Sequence, residues 1–225
     1  MKKILFTAFS IFTLAQVALA QDRVFTQFYA SPLTLNPALT GAFDGRYRVG
    51  GIYRNQWSGI LQQPYSTFSF GADLRLEPFR SAMQKDKVGV GLLFFRDKVN
   101  ALDFSTTQIA LSGAYHKALS LDNSQYLSGG LQIGLTQRNV NYETLTFQDQ
   151  WNGTTGFTSP TFEPLPANNF GFNDITIGVN YAINPAPKSA FFAGITIHHI
   201  NSPNVAFFGV KILLNRVWLR ATLCS

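Results

Sequence analysis

The sequence predicts an all-β fold, an antiparallel transmembrane β-barrel of the outer membrane, and three observations carry that reading. Charged residues make up only 13% of the chain, about half the usual share of a soluble domain. Aromatic residues are abundant and mostly Phe. After the first twenty residues no apolar stretch is long enough for a membrane-crossing helix, while period-two alternation recurs along the chain. Few charges, many aromatics and strands in place of helical spans suit a barrel whose strands alternate lipid-facing and lumen-facing residues.

The first element is a targeting segment. Lys2 and Lys3 form a basic start, an uncharged and mostly apolar run follows from Ile4 to Leu19, and Ala18-Leu19-Ala20 gives a small-x-small cleavage pattern before Gln21. Residues 1–20 are therefore expected to be a signal peptide cleaved after Ala20; the competing reading is an N-terminal anchor helix. Loss of Lys2 and Lys3 lowers the formal charge from +6 to about +4. The remaining Lys and Arg are scattered without a run, which points away from nucleic acid. Cys224 is the one cysteine, so no internal disulfide and no thiolate metal set is expected.

Residues 21–45 form a pre-barrel segment. Pro32 and Pro37 fix φ and prevent regular strand pairing there. The segment is expected to be ordered, packing through Phe25, Phe28, Tyr29 and Leu35 on the periplasmic side or in the lumen. Whether it plugs the lumen or docks a partner stays open.

Strands occupy residues 46–209. In 46–54, Tyr47, Val49 and Tyr53 share one face, and Arg46, Arg48 and Arg54 the other. In 65–76, Phe68, Phe70, Ala72, Leu74 and Leu76 oppose Thr67, Ser69, Asp73 and Arg75. In 87–95 both faces are apolar or Gly. Ile109, Leu111 and Tyr115 then oppose Gln108, Ser112 and His116. Leu127, Leu131, Ile133 and Leu135 oppose Ser128, Gln132 and Thr136, and Ile175, Ile177, Val179 and Tyr181 oppose Asp174, Thr176 and Asn180. A seventh strand runs from Phe191 to about Ile200. Several runs approach the ~9–11 residues that cross a bilayer at a tilt. With the N-terminus in the periplasm, the long connection 139–169 lies outside and the short ones near 120–124 and 185–189 lie inside, the barrel convention. The tyrosines and tryptophan at 47, 53, 57, 65, 115, 126 and 181 suit an interface belt. Residues 210–225 form an atypical tail. Seven strands or slightly more, where single-chain bacterial barrels use even numbers, lead to the expectation of an incomplete barrel.

Catalytic and cofactor chemistry is poorly supplied. His198 and His199 are adjacent in a strand, so their side chains are expected on opposite faces. No nucleophile-elbow context surrounds a Ser. Gly129-Gly130 and Gly89/Gly91 lack the Lys-Ser/Thr of a phosphate loop and are expected to allow close packing. The Arg46/Arg48/Arg54 stripe has three readings, lining a lumen, binding anionic lipid or pairing with carboxylates of neighbouring strands, and the paired wall is the simplest.

One resemblance is specific. Gln27-Phe28-Tyr29, Pro32, Leu35-Asn36-Pro37-Ala38 and Gly41 are followed by Tyr53-Arg54-Asn55-Gln56-Trp57. This resembles the PorP/SprF family of type IX secretion system outer-membrane proteins of Bacteroidota. Residues 114–119, 126–132, 145–147 and 199–204 look like further family segments, and the resemblance spans about Gln21 to Gly209. Beyond that point family members continue with further strands, whereas here Val210-Lys211-Ile212-Leu213-Leu214 leads into a short tail. The resemblance implies a non-enzymatic partner in the secretion or surface attachment of cargo such as gliding adhesins. It implies outer-membrane lipid, secretion components and cargo C-terminal domains as partners, with no cofactor. The motif residues Gln27, Phe28, Tyr29, Pro32, Asn36, Pro37, Gly41, Tyr53, Arg54, Gln56 and Trp57 are the candidate partner contacts. The competing functions are a passive channel or transporter of hydrophobic substrates, a barrel lipid hydrolase, and a secreted β-sandwich.

Overall fold

The computed structural model describes residues 25, 27–60, 64–77, 86–100, 103–143, 145–186, 189–207 and 216–222. The signal-peptide segment and Cys224 lie outside them. Among the described residues there is no α-helix. The chain is a single antiparallel sheet in which each strand pairs with the next: β1 (Tyr47–Gln56), β2 (Tyr65–Leu76), β3 (Lys87–Val99), β4 (Phe104–Ala118), β5 (Gln125–Val140), β6 (Asn169–Ala186), β7 (Ser189–His198) and β8 (Arg216–Thr222). Among the described residues no pairing joins β1 to β8. The sheet curls into an open, incomplete barrel.

The first seven strands fall where alternation places them. The eighth, β8, lies in the segment expected to be an atypical tail. Its signal is visible in the alternation of Val217, Leu219 and Ala221 with Arg216, Trp218, Arg220 and Thr222, and it pairs with β7 from Phe192↔Thr222 to His198↔Arg216.

Burial is inverted relative to a water-soluble sheet. Leu111 is 63% exposed and Leu135 64%, whereas Ser69, Ser128, Thr136 and Thr176 are exposed by 2% or less. On β4 the inward set is Ala110, Ser112, Ala114, His116 and Ala118, and the outward set includes Ile109, Leu111 and Tyr115. An outer face of Leu, Ile, Val and Phe around a polar inner face is the arrangement that lipid selects. Tyr47, Tyr53, Trp57, Tyr65 and Tyr115 are exposed as well, as a belt would be, whereas Tyr126 and Tyr181 are half-buried. The middle strands, with 15 residues in β4 and 16 in β5, exceed the ~9–11 needed for a crossing.

Connections group at two ends. The described residues 100, 103, 141–143, 145–168 and 199–207 lie at one end of the sheet; Asp86 and residues 119–124 lie at the other. At the second end Asp86, just before β3, is bonded to β4. Its carboxylate accepts from Tyr115 Oη (2.6 Å), Lys117 Nζ (2.8 Å) and Ala118 N (3.0 Å). Lys117 first, and Tyr115 next, hold the Asp86 carboxyl well below the usual range, at about 2.

Candidate functional site

The pre-barrel segment is the most elaborately built feature of the inner face. It carries three short 3₁₀ turns, Phe28–Ala30, Pro32–Thr34 and Pro37–Leu39. Prolines begin the last two, where a missing N–H costs nothing. Asn36 caps the third: its Oδ1 accepts from Ala38 N (2.8 Å) and its Nδ2 donates to Val179 O on β6 (3.2 Å). One side chain thus starts the turn and fastens it to the sheet.

Glycines let the segment lie against the strands. A Cβ on Gly130 of β5 would stand 2.6 Å from Pro37 O; on Gly89 of β3, 2.5 Å from Thr40 C; on Gly178 of β6, 2.8 Å from Asn36 Cγ. These positions on three strands form a bed that any side chain would fill. The expectation of close packing is met at Gly89 and Gly130, where the neighbour is the pre-barrel segment, and not at Gly129, where an added Cβ would meet nothing within 4 Å.

The segment's far end is held by a polar network. Gly41, at φ +76°, donates its N–H to Asp73 Oδ2 (2.7 Å). Asp73 also accepts from Arg48 Nε (2.9 Å) and Nη2 (2.7 Å), and Arg48 Nη2 donates to Leu39 O (3.1 Å). Thr40 Oγ1 donates to Ser112 Oγ (2.9 Å). His116 lies 2.7 Å from Thr40 O through Nε2 and 2.7 Å from Ser128 Oγ through Nδ1. A carbonyl only accepts, so Nε2 carries the proton toward Thr40, and in the neutral ring Nδ1 accepts from Ser128. Asp73 is 3% exposed and His116 3%, so each is a polar group buried with its partners in place.

The candidate residues therefore divide. Asn36, Pro37 and Gly41 are buried against the inner face, and Pro32 is half-buried in the turn before them. Gln27, Tyr29, Tyr53, Gln56 and Trp57 are exposed. Phe28 opens the first turn. Arg54 lies with its guanidinium 5.7 Å from the Phe25 ring. A cavity of about 300 Å3 lies between residues 29–33 and the inner faces of β1 and β2, walled by Arg48, Gly50, Gly51, Gly71 and Asp73.

Two expectations need correction. Packing of the segment does not run through Tyr29, which is 69% exposed, nor chiefly through Leu35, which is half-buried; it runs through Phe25, Leu33, Pro37, Ala38 and Thr40. The turns rotate alternate residues out of register with a strand, so aromatic character was a poor guide to burial. His198 and His199 are not on opposite faces. His199 leaves β7 at φ +54°, its Nδ1 lies 2.7 Å from Asp174 Oδ1, and His198 Nδ1 lies 3.4 Å from Thr176 Oγ1. Both rings reach inner-face residues of β6. Among the described residues no group of three or more His, Cys, Asp or Glu is placed to hold a metal ion.

Sequence reasoning missed Asp73, Ser112 and Ser128 as anchors and Thr40 as a residue held by the inner face. The signal of the three anchors was present in the polar, inward sets of β2, β4 and β5. What it did not show was that the pre-barrel segment would be their partner. The Arg48–Asp73 pair between β1 and β2 (2.7 Å) does fit the expected charge pairing of the Arg stripe.

Comparison with curated proteins gives no match, and comparison with solved structures gives none. The family described as type IX secretion system membrane protein PorP/SprF matches residues 17–217, nearly the whole of the chain, including the first seven strands and the Asn36–Gly41 stretch wedged against the inner face, the wedge. With an inverted, barrel-like sheet already established, the chain belongs to the PorP/SprF family of type IX secretion system membrane proteins.

Proposed function

We propose that this protein is a non-enzymatic outer-membrane component of the type IX secretion system that partners the secretion or surface attachment of cargo such as gliding adhesins. On this reading the first twenty residues direct export and are removed after Ala20. Outer-membrane lipid covers the apolar outer face, and the cargo's C-terminal domain meets the exposed end of the sheet. The observation that carries the reading is the inverted burial of a sheet whose family is a secretion-system membrane family.

The wedge favours this over a passive channel. A channel needs a polar lumen left open, and here the polar inner residues Ser112, His116 and Ser128 are engaged by or linked to residues 36–41. The exposed motif residues Tyr29, Tyr53, Gln56 and Trp57 remain candidates for partner contact, while Asn36, Pro37 and Gly41 act through the fold. The test is a deletion strain whose secreted and surface-attached proteins are compared with the parent. Loss of a defined set of surface proteins is expected; an unchanged surface proteome would remove the proposal.

A further inference from the structure

The connection between β5 and β6 is the longest in the chain, and its sequence is one-sided. Between Asn139 and Asn169 there is no Lys or Arg, and there are three carboxylates, Glu143, Asp149 and Glu163. The whole chain has a net charge of +6, so this stretch is an acidic island on a basic protein.

The loop is ordered by its own hydrogen bonds. Val140 N donates to Asn168 O (2.8 Å) at its base. Trp151 and Phe157 face each other across a two-residue bridge with ring centroids 5.2 Å apart. Asn152 Oδ1 accepts from the N–H groups of Thr154, Thr155 and Gly156. Asp149 Oδ2 accepts from Phe162 N (2.6 Å) and Thr161 Oγ1 (2.9 Å), and Ser159 N returns to Gln150 O (3.0 Å). Polar side chains thus do the folding, and the large apolar ones are not used as a core. Trp151 is 49% exposed, Phe157 49%, Phe162 88% and Leu165 42%.

Single exposed apolar residues need no explanation. Several on one rigid loop do, because a small ordered segment gains stability by burying such rings if it can. A surface that is already ordered loses little entropy on binding. Its chemistry names the occupant. Rings supply apolar contact and cation–π faces, and carboxylates on the same loop attract cations and repel anions. An anionic lipid surface draws basic segments and disfavours this one.

We propose that the β5–β6 loop is an interaction surface for a basic polypeptide segment in which Lys or Arg is interspersed with aliphatic or aromatic side chains. The inference deepens the proposed function, because it rests on this end of the sheet facing outward. Phe157 and Phe162 are the apolar anchors, and Glu143 and Glu163 set the charge preference.

The test uses the full chain purified in detergent micelles and two short synthetic peptides, alternating Lys-Val and alternating Glu-Val, each followed by fluorescence anisotropy. The Lys-Val peptide is expected to bind at least about tenfold more tightly, a difference of about 1.4 kcal/mol. The double variant Phe157→Ser/Phe162→Ser is expected to lose about thirtyfold in affinity, the scale of an interface hot spot. Glu143→Gln/Glu163→Gln is expected to lose about three- to tenfold and most of the salt dependence. Heat-modifiable gel migration equal to the parent's checks that both variants keep the sheet. Equal binding of the two peptides, or parental affinity in the Phe variant, would overturn the proposal. So would partition onto phosphatidylglycerol vesicles that depends on Phe157 and Phe162 while neither peptide binds, which would make the loop a lipid contact. Peptide binding as expected together with an unchanged surface proteome in the deletion strain would remove the secretion role and leave this surface standing. A secretion defect in the deletion strain with no peptide preference would do the reverse.

Discussion

Gly129 and Gly130 are neighbours on β5 and face opposite ways, which makes them a matched pair for testing the wedge. Around Gly129 nothing lies within 4 Å of an added Cβ, whereas at Gly130 the Cβ would stand 2.6 Å from Pro37 O and closer still to Pro37 C and Ala38 N. All three contacts are backbone, so no flexible side chain can yield. Gly130→Ala must push the Pro37–Leu39 turn off the strand. Overpacking of this kind costs about 1–3 kcal/mol. Displacement also weakens the Ala38 N to Asn36 Oδ1 and Asn36 Nδ2 to Val179 O bonds, each worth about 1 kcal/mol. Replacing Gly by Ala in an element returns roughly 0.5–1 kcal/mol through the unfolded chain. The net expectation is a destabilisation of about 2–4 kcal/mol for Gly130→Ala and a neutral or slightly stabilising change for Gly129→Ala. The assay is hydrogen exchange at the Ala38 and Thr40 amides in micelles, with heat-modifiable migration as the global measure. A local loss of 2 kcal/mol appears as about a thirtyfold faster exchange. If the two variants exchange and melt alike, the wedge is not seated on the glycine bed and the account of the inner face is wrong.

Three further expectations follow from the same contacts. Asn36→Ala removes the cap and the tie to β6 together and should cost about 1–2 kcal/mol, read as a lower melting midpoint in micelles; an unchanged midpoint would separate the cap from the stability of the sheet. Leu111 is 63% exposed on β4, so Leu111→Arg should impair folding into lipid vesicles by about 2–4 kcal/mol if that face meets the bilayer midplane. Gln137→Arg, near the loop end of β5, should cost no more than about 1 kcal/mol in the same vesicles, and equal tolerance of both would place the outer face away from lipid. Asp86 has a folded pKa of about 2 against an ordinary 3.8. Between those values the unfolded chain binds more protons, so this contribution is full above about pH 4 and fades as pH falls toward about 2. Melting between pH 2 and 6 should show that acid loss in the parent and a smaller one in Asp86→Asn.

Strand content was legible because the two faces of the sheet differ in polarity and side chains alternate between them. Leu127, Leu131, Ile133 and Leu135 alternate with Ser128, Gln132 and Thr136, a pattern that needs no tertiary information. The Pro32 and Pro37 positions likewise announced a segment that could not pair as a strand. The polar anchors were harder to read. Ser112, His116 and Ser128 have the same look in a water-filled lumen as in a packed one, and only the approach of Thr40 from the pre-barrel segment separates the two.

By itself, then, the sequence determined the all-β class, the inward and outward faces and the membership that the motif at residues 27–57 signalled, because each of these is written in local periodicity or in contiguous residues. Only the tertiary structure decided that the Asn36–Gly41 wedge lies against the inner face, that Gly89, Gly130 and Gly178 form its bed, and that His199 turns toward Asp174. Those outcomes depend on contacts between residues far apart in the chain and on one backbone angle of +54° at His199. Neither leaves a period in the sequence.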